Sequence, residues 1–133
     1  MRLWHYKLIP VLPKQMLISQ WRECIAIKRQ WEKGTLTHRL VSYVKKHSKT
    51  TFLGYVNCVI EEMEKRNIKF NKKYYEEIEN FCIWGSFPIY RYPEHDNRYL
   101  KQCYYNLQEK YDRGGISSED WDKIEKKMSE VFG

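Results

Sequence analysis

At 133 residues the chain is long enough for one hydrophobic core and too short for a second independent one. A formal charge of +7 with 16% aromatic residues points about equally to a polyanionic partner and to plain solvated helix faces. No run reaches the roughly 18 apolar residues of a membrane span, and the four Cys and four His show neither C-x-x-C nor H-E-x-x-H spacing, so no metal site is indicated.

Residues 13–33 read as a long first helix. Pro13 suits its first position, Met16/Leu17, Trp21, Cys24/Ile25 and Lys28/Trp31 recur at three-to-four spacing, and Gly34 stops the run. Gln15, Arg22 and Arg29 recur every seven residues on the other face, with Lys33 one turn beyond, and together make a polar, basic ridge. Glu23 lies about 100° round from Arg22, on the border between stripe and ridge. A carboxylate at such a border is partly desolvated and still reaches a ligand, as proton transfer requires. The bland alternative is a surface glutamate paired to Arg22 or Lys28.

The segment HRLVSYVKKHS is expected to form one or two helical turns or a loop. A second long helix follows, capped by Thr50 or Thr51, with Phe52, Tyr55/Val56, Val59/Ile60 and Met63 inward. Asn71 caps a third through KKYYEEIENFCIW, ending before Gly85. The proline-containing stretch GSFPIYRYPEHDN reads as a loop. Asp96 or Asn97 then caps a fourth helix with Tyr99/Leu100, Cys103/Tyr104, Leu107 and Tyr111 inward. After Gly114-Gly115, Ser117 opens the last helix, with Asp120 placed as in a capping box and Trp121, Ile124, Met128 and Phe132 inward. No period-two run appears. The expectation is an all-α fold: a single compact domain over residues 1–133 of about five helices, the first long and basic.

The start of the chain, Met1-Arg2, carries further chemistry. An α-amino group titrates near ~7.7–8, against ~10.4 for lysine, which makes it the readiest amine nucleophile at neutral pH. Arg2 beside it can grip a phosphate and disfavours removal of the initiator methionine, which keeps the amine on Met1. A carboxylate such as Glu23 can then shuttle protons during attack on a sugar carbon. The start shows no secretory pattern, so the cysteines read as reduced thiols of a cytoplasmic protein.

The run LPKQMLISQWRE, Leu12 to Glu23, resembles the first-helix signature of the pyrimidine-dimer DNA glycosylase family. It has Leu12, Gln15, Leu17, an aromatic at Trp21 and the Arg22-Glu23 pair. Arg2 matches the family's N-terminal arginine when the chain is taken as one residue shorter at its start. His38 resembles the family's post-helix histidine, and FLGYVNCVIEEMEKRNIKF its second helix. A bacterial branch beginning M-R-L-W is similar again in its R-E-C and in Y-P-E-H-D, here Tyr92 to Asp96. Met16 stands where the family has histidine, and Ala26 where it has arginine. For the family's aromatic C-terminal tail the nearest stand-in is the loop from Phe87 to Tyr92.

The resemblance implies a DNA glycosylase with AP lyase activity on double-stranded DNA carrying damaged, pyrimidine dimer-like or abasic sites. It implies Met1 as nucleophile and Glu23 as proton-transfer group. Arg2, Arg22, Arg29 and Lys33 would hold phosphates, Gln15 a phosphate or base edge, and His38 would lie at the DNA or serve as a cap. No cofactor and no metal are expected, and the protein is expected to be a cytoplasmic monomer. Met16 and Ala26 favour an alternative, a non-catalytic basic DNA-binding module on the same scaffold. A protein-interaction domain, the third possibility, would bind DNA weakly and with little salt dependence. Among other marked residues, His95 reads as a contact to the helix start or Glu94, and His47 as part of a basic surface. Tyr74-Tyr75 and Tyr104-Tyr105 read as core with one wet face.

Overall fold

The apolar repeat of the first helix continues as Leu17, Trp21, Cys24 and Ile27, all buried, and gives α1, Lys14–Lys33. Pro13 is extended (φ −53°, ψ 147°) and its carbonyl accepts the Leu17 N–H at 3.0 Å. It therefore sits one residue ahead of the first helical position. Gly34, at φ 73°, closes the other end in the left-handed conformation that glycine tolerates best. The Gly34 and Thr35 N–H groups bond back to the carbonyls of Trp31 and Gln30 at 3.1 and 2.9 Å.

The computed structural model describes residues 1–83 and 91–133. Among these residues the further helices are α2 (Lys49–Lys65), α3 (Lys72–Cys82), α4 (Asn97–Asp112) and α5 (Ser118–Phe132). Two 3₁₀ helices, Tyr6–Val11 and Ser42–Lys46, precede and follow α1, and no residue described is in a strand. The fold is all-α. Each later helix begins on a side-chain cap. Asn71, Asp96 and Ser117 accept N–H bonds from Lys73, Tyr99 and Asp120 at 2.9, 2.8 and 3.2 Å. α2 starts earlier than the threonines suggest: Ser48 is its cap and accepts the Thr50 N–H at 3.2 Å.

α1, α2 and α3 pack against one another, the first 3₁₀ helix packs on α2 and α5, and α4 packs on α5. Leu8, Leu17, Phe52, Val59, Ile78, Leu100, Leu107 and Ile124 meet in one continuous cluster. Each such side chain contributes roughly 1.5–3 kcal/mol when fully buried. HRLVSYVKKHS settles as a 3₁₀ turn because Val41 and Val44 are both drawn into that cluster. Phe132, expected inward, is 41% exposed and lies under the Lys101 ammonium, 5.0 Å from its ring centre. It falls on the last turn of α5, where the Lys101 side chain of α4 covers part of the ring. Trp84, at the end of the expected third helix, and the loop residues Phe87 to Tyr90 lie outside the described residues. No helix among the described residues is long and apolar enough to cross a membrane.

Candidate active site at the amino terminus

Ahead of the first 3₁₀ helix, residues 1–5 form an arm whose Leu3, Trp4 and His5 are buried. An arm of this kind exposes its peptide groups to an apolar neighbourhood unless side chains satisfy them. Gln20 of α1 does most of this. It is 1% exposed. Its Oε1 accepts the Trp4 N–H at 2.8 Å, and its Nε2 donates to the Arg2 carbonyl at 2.9 Å and to Glu23 Oε2 at 3.2 Å. The Tyr55 hydroxyl, from α2, donates to the Trp4 carbonyl at 2.6 Å and to Gln20 Oε1 at 3.1 Å. Tyr99 of α4 donates its hydroxyl to the Leu3 carbonyl.

This network brings Glu23 to the start of the chain. Glu23 is half-buried, at the stripe-ridge border expected for it. Its Oε2 accepts the Arg2 backbone N–H at 3.2 Å together with the Gln20 amide. Glu23 thus bonds the arm, and among the described residues it forms no ion pair with Arg22 or Lys28. Lys28 is instead buried on the apolar face and pairs with Glu32 at 3.1 Å. The Met1 amine is one residue from the Arg2 nitrogen, about 3.6 Å at most. It therefore lies within about 7 Å of the carboxylate. Met1 itself is half-buried against the core. The Arg2 guanidinium stands 5.4 Å over the Trp4 ring and beside the Tyr99 hydroxyl and Cys103 thiol, where its charge opposes the upward push of burial on both.

Gln15, Arg22, Arg29 and Lys33 are all exposed along α1. Lys33 lies ten residues beyond Glu23, about 15 Å along the axis. The ridge is uneven, however. Arg29 reaches α3, pairing with Glu77 at 3.4 Å and lying 5.1 Å over the Tyr74 ring. His38, exposed in the turn after α1, accepts the Leu40 N–H on Nδ1 at 3.3 Å and so acts locally as a cap.

The Y-P-E-H-D stretch lies behind the arm. Glu94 pairs with His47 at 2.9 Å, so His47 belongs to this clasp and not to an open basic surface. Asp96 caps α4. His95 packs its ring on Tyr99 in the first turn of α4, 5.0 Å between centres, as a contact to the helix start; its Nε2 is 2.6 Å from the Tyr43 hydroxyl, and its backbone carbonyl accepts from His5 Nε2 at 2.8 Å. Burial raises the Tyr43 hydroxyl far above the ordinary tyrosine range, so it stays a neutral phenol.

Cys24, next to Glu23, is fully buried, and burial with the neighbouring carboxylate pushes its thiol far up, so it is no nucleophile. All four cysteines are free thiols. Among the described residues no three His, Cys, Asp or Glu side chains gather as a metal site would need. A large groove of about 530 Å³ lies between α2 and α3, lined by Glu61, Glu64, Glu76 and Glu79. Against one lysine, Lys72, these four carboxylates make the groove a poor host for a phosphate chain.

The amide of Gln20 and the buried histidines were not anticipated from sequence. Gln20 does fall on the stripe, between Leu17 and Cys24, and a polar residue in an apolar register needs a partner. That was the available signal. A family model described as pyrimidine dimer DNA glycosylase matches residues 1–76, more than half of the chain, covering the arm, α1, α2 and the start of α3. No curated protein and no solved structure matches the chain.

Proposed function

The chain belongs to the pyrimidine dimer DNA glycosylase family, and on that premise we propose that it excises a damaged base and then cuts the strand as an AP lyase, using Met1 and Glu23. DNA is the substrate that the family implies. The observation that supports the finer reading is the 3.2 Å bond between Glu23 Oε2 and the Arg2 N–H, which keeps the carboxylate within about 7 Å of the Met1 nitrogen.

In the proposed reaction the Met1 nitrogen attacks C1′ of the damaged nucleotide. An N–C1′ bond forms as the bond from C1′ to the base breaks, and the base leaves with a proton. The sugar ring opens at C1′–O4′ to give an imine. Glu23 takes a proton from C2′, the electron pair forms the new double bond, and the C3′–O bond breaks to release the downstream 5′-phosphate. Water then hydrolyses the imine and restores the amine. Reaching C1′ requires the nucleotide to be unstacked, which costs a few kcal/mol and least at a damaged or abasic position. Arg2, Arg22 and Lys33 hold phosphates in this reading, with Gln15 and His38 at the edges of the same face and Arg29 joining once it leaves Glu77.

The test is borohydride trapping of untagged protein on a duplex with one abasic site, with the adduct mapped by mass. An adduct on Met1, lost on N-terminal acetylation, is expected. Glu23→Gln should still trap and should stop strand cleavage. An adduct on a lysine would overturn Met1 as nucleophile. No adduct with tight, salt-sensitive binding would leave a non-catalytic DNA-binding module.

A further inference from the structure

Gln20 is polar, neutral and almost fully buried, and each of its amide atoms is committed. The carbonyl oxygen takes the Trp4 N–H and a share of the Tyr55 hydroxyl proton, which also serves the Trp4 carbonyl. The NH₂ group has two hydrogens and meets two acceptors, the Arg2 carbonyl and Glu23 Oε2. An amide can satisfy this set of two donors and two acceptors in one orientation only. Among the described residues, the one partner of the NH₂ group apart from the arm is the carboxylate proposed for proton transfer.

We infer that Gln20 is a positioning residue of this site, fixing the Met1 end of the arm and the Glu23 carboxylate in a single geometry. The inference rests on the amine-and-carboxylate reading above. Gln20 touches neither the amine nor a substrate; it acts through the two groups it holds. Because Nε2 binds both the Arg2 carbonyl and Oε2, a rotation of Glu23 away from the arm breaks a bond at Gln20, and so does a withdrawal of the arm. Displacing either the arm or the carboxylate therefore costs a bond at Gln20. Such coupling is what an attack followed by proton removal one carbon away demands, since small misplacements of reacting groups cost large factors in rate.

Glu at this position is nearly isosteric and separates holding the fold from holding the carboxylate. One of its oxygens can still accept from Trp4 and Tyr55. The other replaces the NH₂ group with a like charge beside Glu23. Three quantities are to be measured for wild type, Gln20→Glu and Gln20→Met on an abasic duplex in single turnover: duplex affinity, the rate of imine trapping and the rate of strand cleavage across pH. Duplex affinity should fall by no more than a few-fold, because, of the proposed phosphate contacts, Arg2 alone rides on the arm, while Arg22 and Lys33 stand on α1. Strand cleavage should fall by about tenfold or more relative to trapping, and in Gln20→Glu the acid limb of its pH profile should move upward, as it does when two carboxylates share a site.

Gln20→Met has no charge. It should lose cleavage without moving that limb, and it serves if Gln20→Glu does not fold. Hydrogen exchange at the Trp4 amide, against core amides such as Val59, reports whether the arm has been released. Wild-type trapping on Met1 together with variants that keep the wild-type ratio and profile would overturn this inference alone. A wild type that gives no Met1 adduct would overturn the proposed function and the inference with it.

Discussion

His5 Nε2 lies 2.8 Å from the backbone carbonyl oxygen of His95, tying the end of the arm to the segment that caps α4. The other ring nitrogen of His5 accepts the Lys7 N–H at 3.1 Å, so the ring is neutral with its proton on Nε2. Burial lowers His5 to about 4, with the Lys7 charge adding to it against the opposing His95 carbonyl and Asp96. His95 is lowered to about 3 by burial, then by His5, with Arg91 acting the same way. Both rings are nearly inaccessible, at 1% and 6% exposure.

Acid should therefore loosen this protein well above the carboxylate range. In the unfolded chain each histidine titrates near 6.5. The folded values are lower, so the unfolded state takes up protons first, and the stability contribution is complete above about pH 6.5. It is lost as pH falls from there towards about 4 for His5 and about 3 for His95. Each ring contributes a slope of about 1.4 kcal/mol per pH unit in that window. Urea midpoints at pH 7.5 and pH 5 should differ clearly, and His95→Phe should show about half the difference. Equal midpoints for the wild type would mean that the rings are not held neutral.

The helices were legible because their signals are local. Leu17, Trp21 and Cys24 mark a face by spacing, and Asn71, Asp96 and Ser117 mark starts by a side chain that reaches two or three residues forward. Glu23 was legible as a border residue for the same reason. The bonds that build the site span much more chain: 16 residues from Gln20 to Trp4, 35 from Tyr55 to Gln20 and 90 from His5 to His95. No periodicity encodes such separations. A histidine in an N-terminal arm and another beside an acid look like surface residues until the arm is folded back onto α4.

Arg66 is a second long-range tie, and its removal should be costly. After α2 its guanidinium donates to the carbonyls of Leu12 at 2.7 Å, Pro10 at 3.0 Å and Ile9 at 3.4 Å, while Nε bonds Glu62 at 2.7 Å. These carbonyls end the first 3₁₀ helix and lead into α1, so one side chain sets the entry to the site helix. Arg66→Ala should lower unfolding free energy by about 2 kcal/mol, as charge-assisted bonds lost to partly buried carbonyls do. Arg66→Lys should recover little, because an ammonium cannot span the same fork. Denaturant unfolding of the three proteins checks both points, and a fully stable Arg66→Lys would assign the role to charge alone.

Arg22 and Arg29 should behave differently on DNA despite their equivalent places on the ridge. Arg22 is exposed and forms no ion pair among the described residues. Its replacement by Ala should weaken duplex binding at every sequence and reduce the slope of log affinity against log salt by about one. Arg29 must first release Glu77, a surface pair worth about 0–1 kcal/mol, so Arg29→Ala should cost less. Glu77→Gln removes the competitor and should tighten binding by a few-fold. Titrations at four salt concentrations test the ordering. An unchanged slope for Arg22→Ala would remove it from the phosphate contacts.

Trp121 tests whether the part of the chain beyond residue 76 folds as one unit with the arm and α1. Its ring stacks on Tyr111 at 4.9 Å with planes 7° apart, and on Tyr104 at 5.4 Å and 24°, which fastens α5 to α4. α5 also packs on the 3₁₀ helix Tyr6–Val11, which begins where the arm ends. Trp121→Ala should cost about 3–5 kcal/mol, as large aromatic truncations in a core do. If the chain is a single cooperative domain, the melt should stay one transition at lower temperature, with helix content and tryptophan fluorescence falling together. Two transitions would mean that α4 and α5 detach while the arm and α1 hold. In that case the variant should still trap on abasic DNA at temperatures between them, because Gln20 and Tyr55 would hold the arm without Tyr99.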